Sequence, residues 1–417
     1  MPLTLRELKT EASKLARAGQ VPAALAAHDK MLASNPLDGD SRRKIADLLW
    51  QLGDREGAVQ VYRSCALHDA RAGHLLPALI GCKVLESVGQ PTDDIVALMA
   101  HSYAHGSPAL GKFAARQAPV DLDAPVEPPA PSAATDVAKL VQRARARALD
   151  LSVFIQYPGH VLPVPFFSEL PPELFAAAVS KVRLVRATDG QVIFREGQAG
   201  DAFYFVAAGE LRVVGHDPQG RPVERAHLHE GALFGEVALL TAEPRTATVQ
   251  AVGEADLIEV GRAAVAELVA AVPALGQRLE QFARERLLKN LLATSPLFKP
   301  FDHQQQMDLI RRFEGVDVAA GTPVIREGEP GQGLFVILMG SVEVVRGGQP
   351  LARLGAGDLF GEMALLHDGP TNATVRTLVP TSLLFLGRDY FRRLVAALPA
   401  LRKYFEGLAR ARGGAPA

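Results

Sequence analysis

Phe234-Gly235-Glu236-Val237-Ala238-Leu239-Leu240, followed by Pro244-Arg245-Thr246-Ala247-Thr248-Val249, returns as Phe360-Gly361-Glu362-Met363-Ala364-Leu365-Leu366, followed by Pro370-Thr371-Asn372-Ala373-Thr374-Val375. The copies differ most in charge at one place, where Arg245 becomes Thr371. Gly235 allows close backbone approach and positive φ. Main-chain N–H groups at the start of a short helix there bind an anion. Glu236 is a pure acceptor, suited to a sugar hydroxyl. Arg245 supplies a planar fork of donors for phosphate oxygens. Pro244 fixes φ, and Ala247-Thr248-Val249 reads as the start of a strand. Together these residue types suit a sugar plus one phosphate, held on a rigid loop between strands. A lone Glu or Arg on a loop is usually a solvated charge. The joint pattern and its recurrence weigh against that reading here.

Outward from this phrase, the chain after 165 has strand-like periodicity, with glycine turns every eight to twelve residues. Glycines recur at an offset of 131 (190 and 321, 197 and 328, 209 and 340), but Phe234 and Phe360 are 126 apart. The second copy has therefore lost five residues, placed in the hairpin near 215–230. A helix over about 276–293 joins the copies, and a helix from Phe391 to Ala411 closes the second.

The phrase resembles the phosphate-binding cassette of cyclic nucleotide-binding domains, as in the regulatory subunit of protein kinase A, cyclic nucleotide-gated channels and the catabolite activator protein. Val192-Ile193-Phe194-Arg195-Glu196-Gly197, Phe203-Tyr204-Phe205-Val206 and Gly209-Glu210-Leu211-Arg212-Val213 look like the family's early strands and turns. Val324-Ile325-Arg326-Glu327-Gly328, Leu334-Phe335-Val336-Ile337 and Gly340-Ser341-Val342-Glu343-Val344 repeat them. The resemblance implies a jelly-roll-like β-barrel in each copy. It implies that Glu236 accepts from a ribose 2′-hydroxyl, that Arg245 pairs with a cyclic phosphate, and that N–H groups around Gly235, Val237 and Ala238 cradle it, beside Phe234 and Thr246. Thr246 does not separate cAMP from cGMP. In the second copy Gly361, Glu362, Met363, Ala364, Thr371 and Asn372 form a weak or lost site. The family's terminal helix closes over the nucleotide, and Leu287 and Leu288 are candidates to cap the base.

Residues 4–105 read as helices. Gly19, Gly53 and Gly73 are each followed five residues later by alanine, and the first two are 34 apart, the tetratricopeptide period. This stretch resembles tetratricopeptide repeats, with 56–72 as one helix shared between units. A generic helical bundle is the other reading, and either presents a surface for a protein partner. Trp50 and Tyr62 are expected in the core, and Cys65 and Cys82 as buried small hydrophobes. Arg42-Arg43-Lys44-Ile45 loosely resembles a kinase pseudosubstrate but lies in a helical pattern. Prolines at 119, 125, 128, 129 and 131 mark a linker over 107–135. A helix over 136–149, capped by Thr135 or Asp136, carries Lys139, Arg143, Arg145 and Arg147 as a basic face. That face reads as solvated, or as a docking surface for its own cassette domain or a partner.

The expected fold class is multidomain α+β: a tetratricopeptide-like helical domain (1–106), the linker (107–135), a connecting helix and segment (136–164), and two β-barrel domains (165–293 and 294–417). A hydrophobic share of 48% supports folded cores. A net charge of −1 gives none of the basic excess of a DNA binder, and no uncharged apolar run is long enough to span a membrane. There is no signal-peptide pattern, nucleophile elbow, P-loop or metal-ligand cluster. The expectation is a cytoplasmic, non-catalytic sensor without cofactor or metal, taking cAMP or cGMP as ligand. The alternatives are a regulatory subunit that inhibits a protein kinase, or a scaffold with relic cassettes.

Overall fold

The computed structural model describes residues 3–111, 121, 123–126, 136–152, 157–216, 221–241, 244–367 and 369–412. Most of the expected linker at 107–135, and Thr135 as a cap, lie outside the described residues. The chain divides into two compact units, Met1–Arg278 and Leu279–Ala417.

The first unit opens with β1 (Leu3–Thr4) and α1 (Leu5–Arg17), started by a reciprocal capping box between Thr4 and Glu7. Then follow α2 (Val21–Ser34), α3 (Gly39–Gln51), α4 (Arg55–Ala72), α5 (Leu75–Ser87) and α6 (Asp93–Tyr103). Consecutive helices from α1 to α5 pack in pairs. The two-residue β2 (Pro125–Val126) pairs with β1. The basic helix is α7 (Val137–Leu149), capped by Asp136. Three of its four basic residues dock on the helical region itself, while Lys139 stays exposed beside Asp136. Arg143 Nε lies 2.8 Å from Asp29, Arg147 pairs with the same carboxylate, and Arg145 reaches Asp54 at 3.2 Å. Below it, Arg42 donates to the carbonyls of Arg147 and Ala148, closing the end of α7. Arg42 is 2% exposed, which removes it from any pseudosubstrate role. Trp50 departs from expectation: it lies at the surface beneath the Arg55 guanidinium, whereas Tyr62, Cys65 and Cys82 are buried.

After a 3-10 turn (Phe167–Glu169) and α8 (Pro172–Lys181) come β3 (Arg183–Ala187), β4 (Val192–Phe194), β5 (Ala202–His216), β6 (Pro222–Leu228), β7 (Leu233–Phe234), α9 (Glu236–Thr241), β8 (Thr248–Gly261) and α10 (Arg262–Ala271). The sheet runs β3-β8-β5-β6, with β4 on β8 and β7 on β5. The long strands β5 and β8 bend around Gly209, where φ is +87° and a Cβ would sit 2.4 Å from the Glu254 carbonyl. Their inner faces pack Val206, Leu211, Val249 and Leu257 around Phe234. Helix α5 is buried from Leu75 to Lys83 and packs on α4 and on β3, β5 and β8. The helical region and the first β-domain therefore lie within one compact unit.

Helix α11 (Pro273–Thr294) carries the boundary between units. The second unit continues with α12 (His303–Ile310), β9 (Glu314–Val318), β10 (Pro323–Ile325), β11 (Gly333–Met339), β12 (Val342–Arg346), β13 (Gln349–Leu354), β14 (Leu359–Phe360), α13 (Glu362–Leu366), β15 (Thr374–Thr377) and β16 (Thr381–Gly387). Two four-stranded sheets result, β10-β15-β12-β13 and β14-β11-β16-β9. The shortened hairpin is here: Gly347-Gly348 alone join β12 to β13, both at positive φ as a tight hairpin turn requires. The expected closing helix is two helices, α14 (Arg388–Ala397) and α15 (Pro399–Ala411). Pro399 disfavours helical backbone at Leu398 and restarts the helix behind it.

Candidate functional site

Strand β7 delivers Phe234 into the core, where it stacks on Tyr204 at 5.3 Å. Gly235 then turns the chain at φ +84°, and α9 starts at Glu236. A Cβ on Gly235 would stand 2.7 Å from the Arg245 guanidinium, so a side chain there would push the arginine away. Glu236 is 1% exposed and Ala238 3% exposed, with Val237 half-buried between them. The first turn of α9 presents main-chain N–H groups and the positive end of its peptide dipoles.

Arg245 returns to this turn from the segment before β8. Its two terminal nitrogens donate to the Gly235 carbonyl at 2.6 Å and the Ala202 carbonyl at 2.7 Å. Its Cζ lies 4.1 Å from the centre of the Phe194 ring. Its Nε is buried without a hydrogen-bond partner, and no carboxylate among the described residues pairs with it. Burial pulls the guanidinium below its ordinary pKa, against the opposing influence of Tyr204, Asp201 and Glu236. The result is a buried, oriented and incompletely neutralised cation beside a buried carboxylate and a helix start. An anion bound there restores the stabilisation that burial removed. Phe234, Gly235, Glu236, Val237, Ala238 and Arg245 thus stand together, while Thr246 is exposed at the entry to β8.

Two residues outside the sequence reading support this turn. Arg262, at the start of α10, donates to the carbonyls of Leu239 at 2.8 Å and Gly200 at 2.6 Å, tying α9 to the loop before β5. The signal was present in the repeat, because Gly261-Arg262 returns as Gly387-Arg388 at the offset of 126 that separates Phe234 and Phe360, and Arg388 donates to Gly331 at 3.1 Å. Phe194, read only as a strand residue, is the ring under Arg245.

The second copy keeps the frame and loses the cation. Gly361 has φ +91°, and Phe335 stacks on Phe360 at 5.1 Å. Thr371 turns its hydroxyl to the carbonyls of Arg326 at 2.5 Å and Glu329 at 3.0 Å. The residue matching Phe194 is Ile325, so the supporting ring is absent as well. Glu362 is 1% exposed and ion-paired with Arg412 at 3.0 Å. Burial raises the Glu362 pKa, and Arg412 pulls it back. Met363 is half-buried and Ala364 buried on α13, while Asn372 is exposed, 3.7 Å from the Met363 sulfur.

No helix among the described residues is long and apolar enough to cross a membrane, and no group of three or more His, Cys, Asp or Glu among them could hold a metal ion. Residues 184–271 and 316–397 match the family model described as the cyclic nucleotide-binding domain. The cAMP-dependent protein kinase regulatory subunit of Blastocladiella emersonii is 29% identical over 238 residues, 56% of this chain and 57% of its own length. That of Dictyostelium discoideum is 29% identical over 214 residues, 49% of this chain and 63% of its own length. The chain therefore covers little more than half the length of these curated relatives. The regulatory domain of Toxoplasma gondii PKA, crystallised with cAMP, aligns at 25% identity over 57% of this chain and 91% of its own, with a TM-score of 0.26.

Proposed function

We propose that this chain, which carries two cyclic nucleotide-binding domains, is a non-catalytic sensor whose first domain binds cAMP or cGMP. Glu236 accepts from the ribose, and Arg245 with the start of α9 holds the cyclic phosphate. One observation carries the reading: Arg245 is 4% exposed, fixed by two carbonyls and a ring, and has no carboxylate partner among the described residues. The second domain binds nucleotide far more weakly, because Thr371 has spent its hydroxyl on Arg326 and Glu329. The helical region engages a protein partner.

Calorimetric titration of cAMP and cGMP into the purified chain tests this. One strong site per chain is expected. Arg245→Ala should cost about 2–5 kcal/mol, as for truncating a buried charge pair, or roughly tens to thousands of fold in Kd. Unchanged affinity in that variant would sink the assignment. A second reading, the regulatory subunit of a protein kinase, is favoured by the names of the relatives. A kinase that co-purifies with the chain and is released by nucleotide would select it.

A further inference from the structure

We infer that the helical region is the readout element of the first domain, shifted by nucleotide across a shared core rather than hung on residues 107–135. This rests on the nucleotide-binding reading above.

The interface has an apolar centre and a charged rim. At the centre, Leu75, Leu76, Leu79, Ile80 and Leu85 of α5 are all at most 4% exposed, and the helix packs on α4 and on β3, β5 and β8. From Leu75 to Cys82 the helix is apolar and buried all round, as a core helix is. At the rim, Arg186 of β3 donates to Asp47 at 2.7 Å and to the Tyr62 hydroxyl at 2.9 Å, and lies 3.5 Å from Asp256 on the neighbouring strand β8. Lys44 pairs with Glu254, also on β8, at 2.7 Å.

Strand β8 links this interface to the phosphate loop at both ends. It begins at Thr248, just after Arg245 and Thr246, passes Glu254 and Asp256, and stops at Gly261 before Arg262, which grips Gly200 and Leu239. On another side, His74 at the start of α5 faces Glu230, four residues ahead of Phe234, at 3.9 Å. Packed cores do not deform continuously, so a displacement of the loop on ligand binding passes into α3 and α5. A ligand acts through its differential affinity for two states, and the effect is reciprocal.

Hydrogen exchange of the full chain with and without saturating cAMP, or cGMP if calorimetry selects it, tests this. Nucleotide should change exchange within 39–87 by about fivefold or more, together with protection at 230–250. In Arg186→Gln the protection at 230–250 should persist while the response at 39–87 falls away, and Kd should move by about threefold or more although Arg186 lies outside the site. Lys44→Gln, which leaves Arg186 and Asp256 paired, should give the same pattern more weakly and serves if Arg186→Gln does not fold. Protection at 230–250 with 39–87 unchanged in the natural chain overturns the inference. So does a full response at 39–87 in a folded rim variant. No protection at 230–250 in the natural chain overturns the nucleotide reading instead, and its premise with it.

Discussion

Arg245 is aimed by three contacts that orient a charge without cancelling it: two main-chain carbonyls and the face of Phe194. A cation over a desolvated ring gains about 0.5–2 kcal/mol. Phe194→Leu should therefore weaken nucleotide binding by a few-fold to about thirtyfold, while far-ultraviolet circular dichroism stays unchanged. The second copy lacks both partners, Thr371 standing for Arg245 and Ile325 for Phe194. Thr371→Arg alone should recover little affinity there. Thr371→Arg with Ile325→Phe should recover more than the product of the two single effects, read as a second binding event by calorimetry. Strictly multiplicative effects would deny the ring its role. Glu236 stood out because the repeat keeps it as Glu362, and Arg245 because the repeat replaces it with Thr371. The ring was not, because Phe194 serves strand pairing and cation support at once, and only its joint loss with the arginine marks the second duty. Arg262 escaped for a different reason: it binds main-chain carbonyls, so its one mark in the sequence is its return as Arg388.

At the scale of elements, α7 shows how a charged face becomes structure. Arg42 sits beneath its last turn and donates to the carbonyls of Arg147, Ala148 and Pro36. A cation at a partly buried helix end contributes about 2 kcal/mol. Arg42→Ala should lower the unfolding midpoint by roughly 4–8 °C in a unit of this size, and Arg42→Lys, which cannot span three acceptors, should rescue little of it. The helical region also holds two buried histidines, His28 and His68, each pushed down to about 4, chiefly by burial. A histidine unfolds to a pKa of about 6.5. Its neutral folded form is therefore favoured above that value and loses ground as pH falls from 6.5 toward 4. By pH 5 each costs on the order of 2 kcal/mol. The midpoint should fall between pH 7.5 and 5, and the fall should shrink in His28→Asn/His68→Asn. Strands and most helices here announced themselves by period and glycine spacing. The destination of the basic face did not, because Asp29 and Asp54, which receive it, lie more than ninety positions earlier in the chain. The break at Pro399 was visible as a residue, yet α15 resumes at once, so the helical pattern ran through it.

At the scale of the molecule, the helical region is part of the first unit rather than an appendage. Its loss would expose the strands that α5 covers, so a chain lacking residues 1–106 should aggregate or melt well below the full chain. Trp50, the one tryptophan, lies in the helical region, and Tyr204 and Phe234 lie in the β-domain. Thermal unfolding followed by tryptophan emission and by nucleotide-dependent stabilisation should therefore give one shared transition. Two separated transitions would show that the packing is loose. The unequal pair of loops has a further consequence, for the shape of a dose response. Two matched pockets can produce a steep, sigmoidal answer to rising messenger. With Arg245 in one and Thr371 in the other, cyclic-nucleotide saturation measured by calorimetry should follow a simple hyperbola with a Hill coefficient near one. On the proposed reading, such a response would be graded, as a gauge is, and would set no threshold of its own.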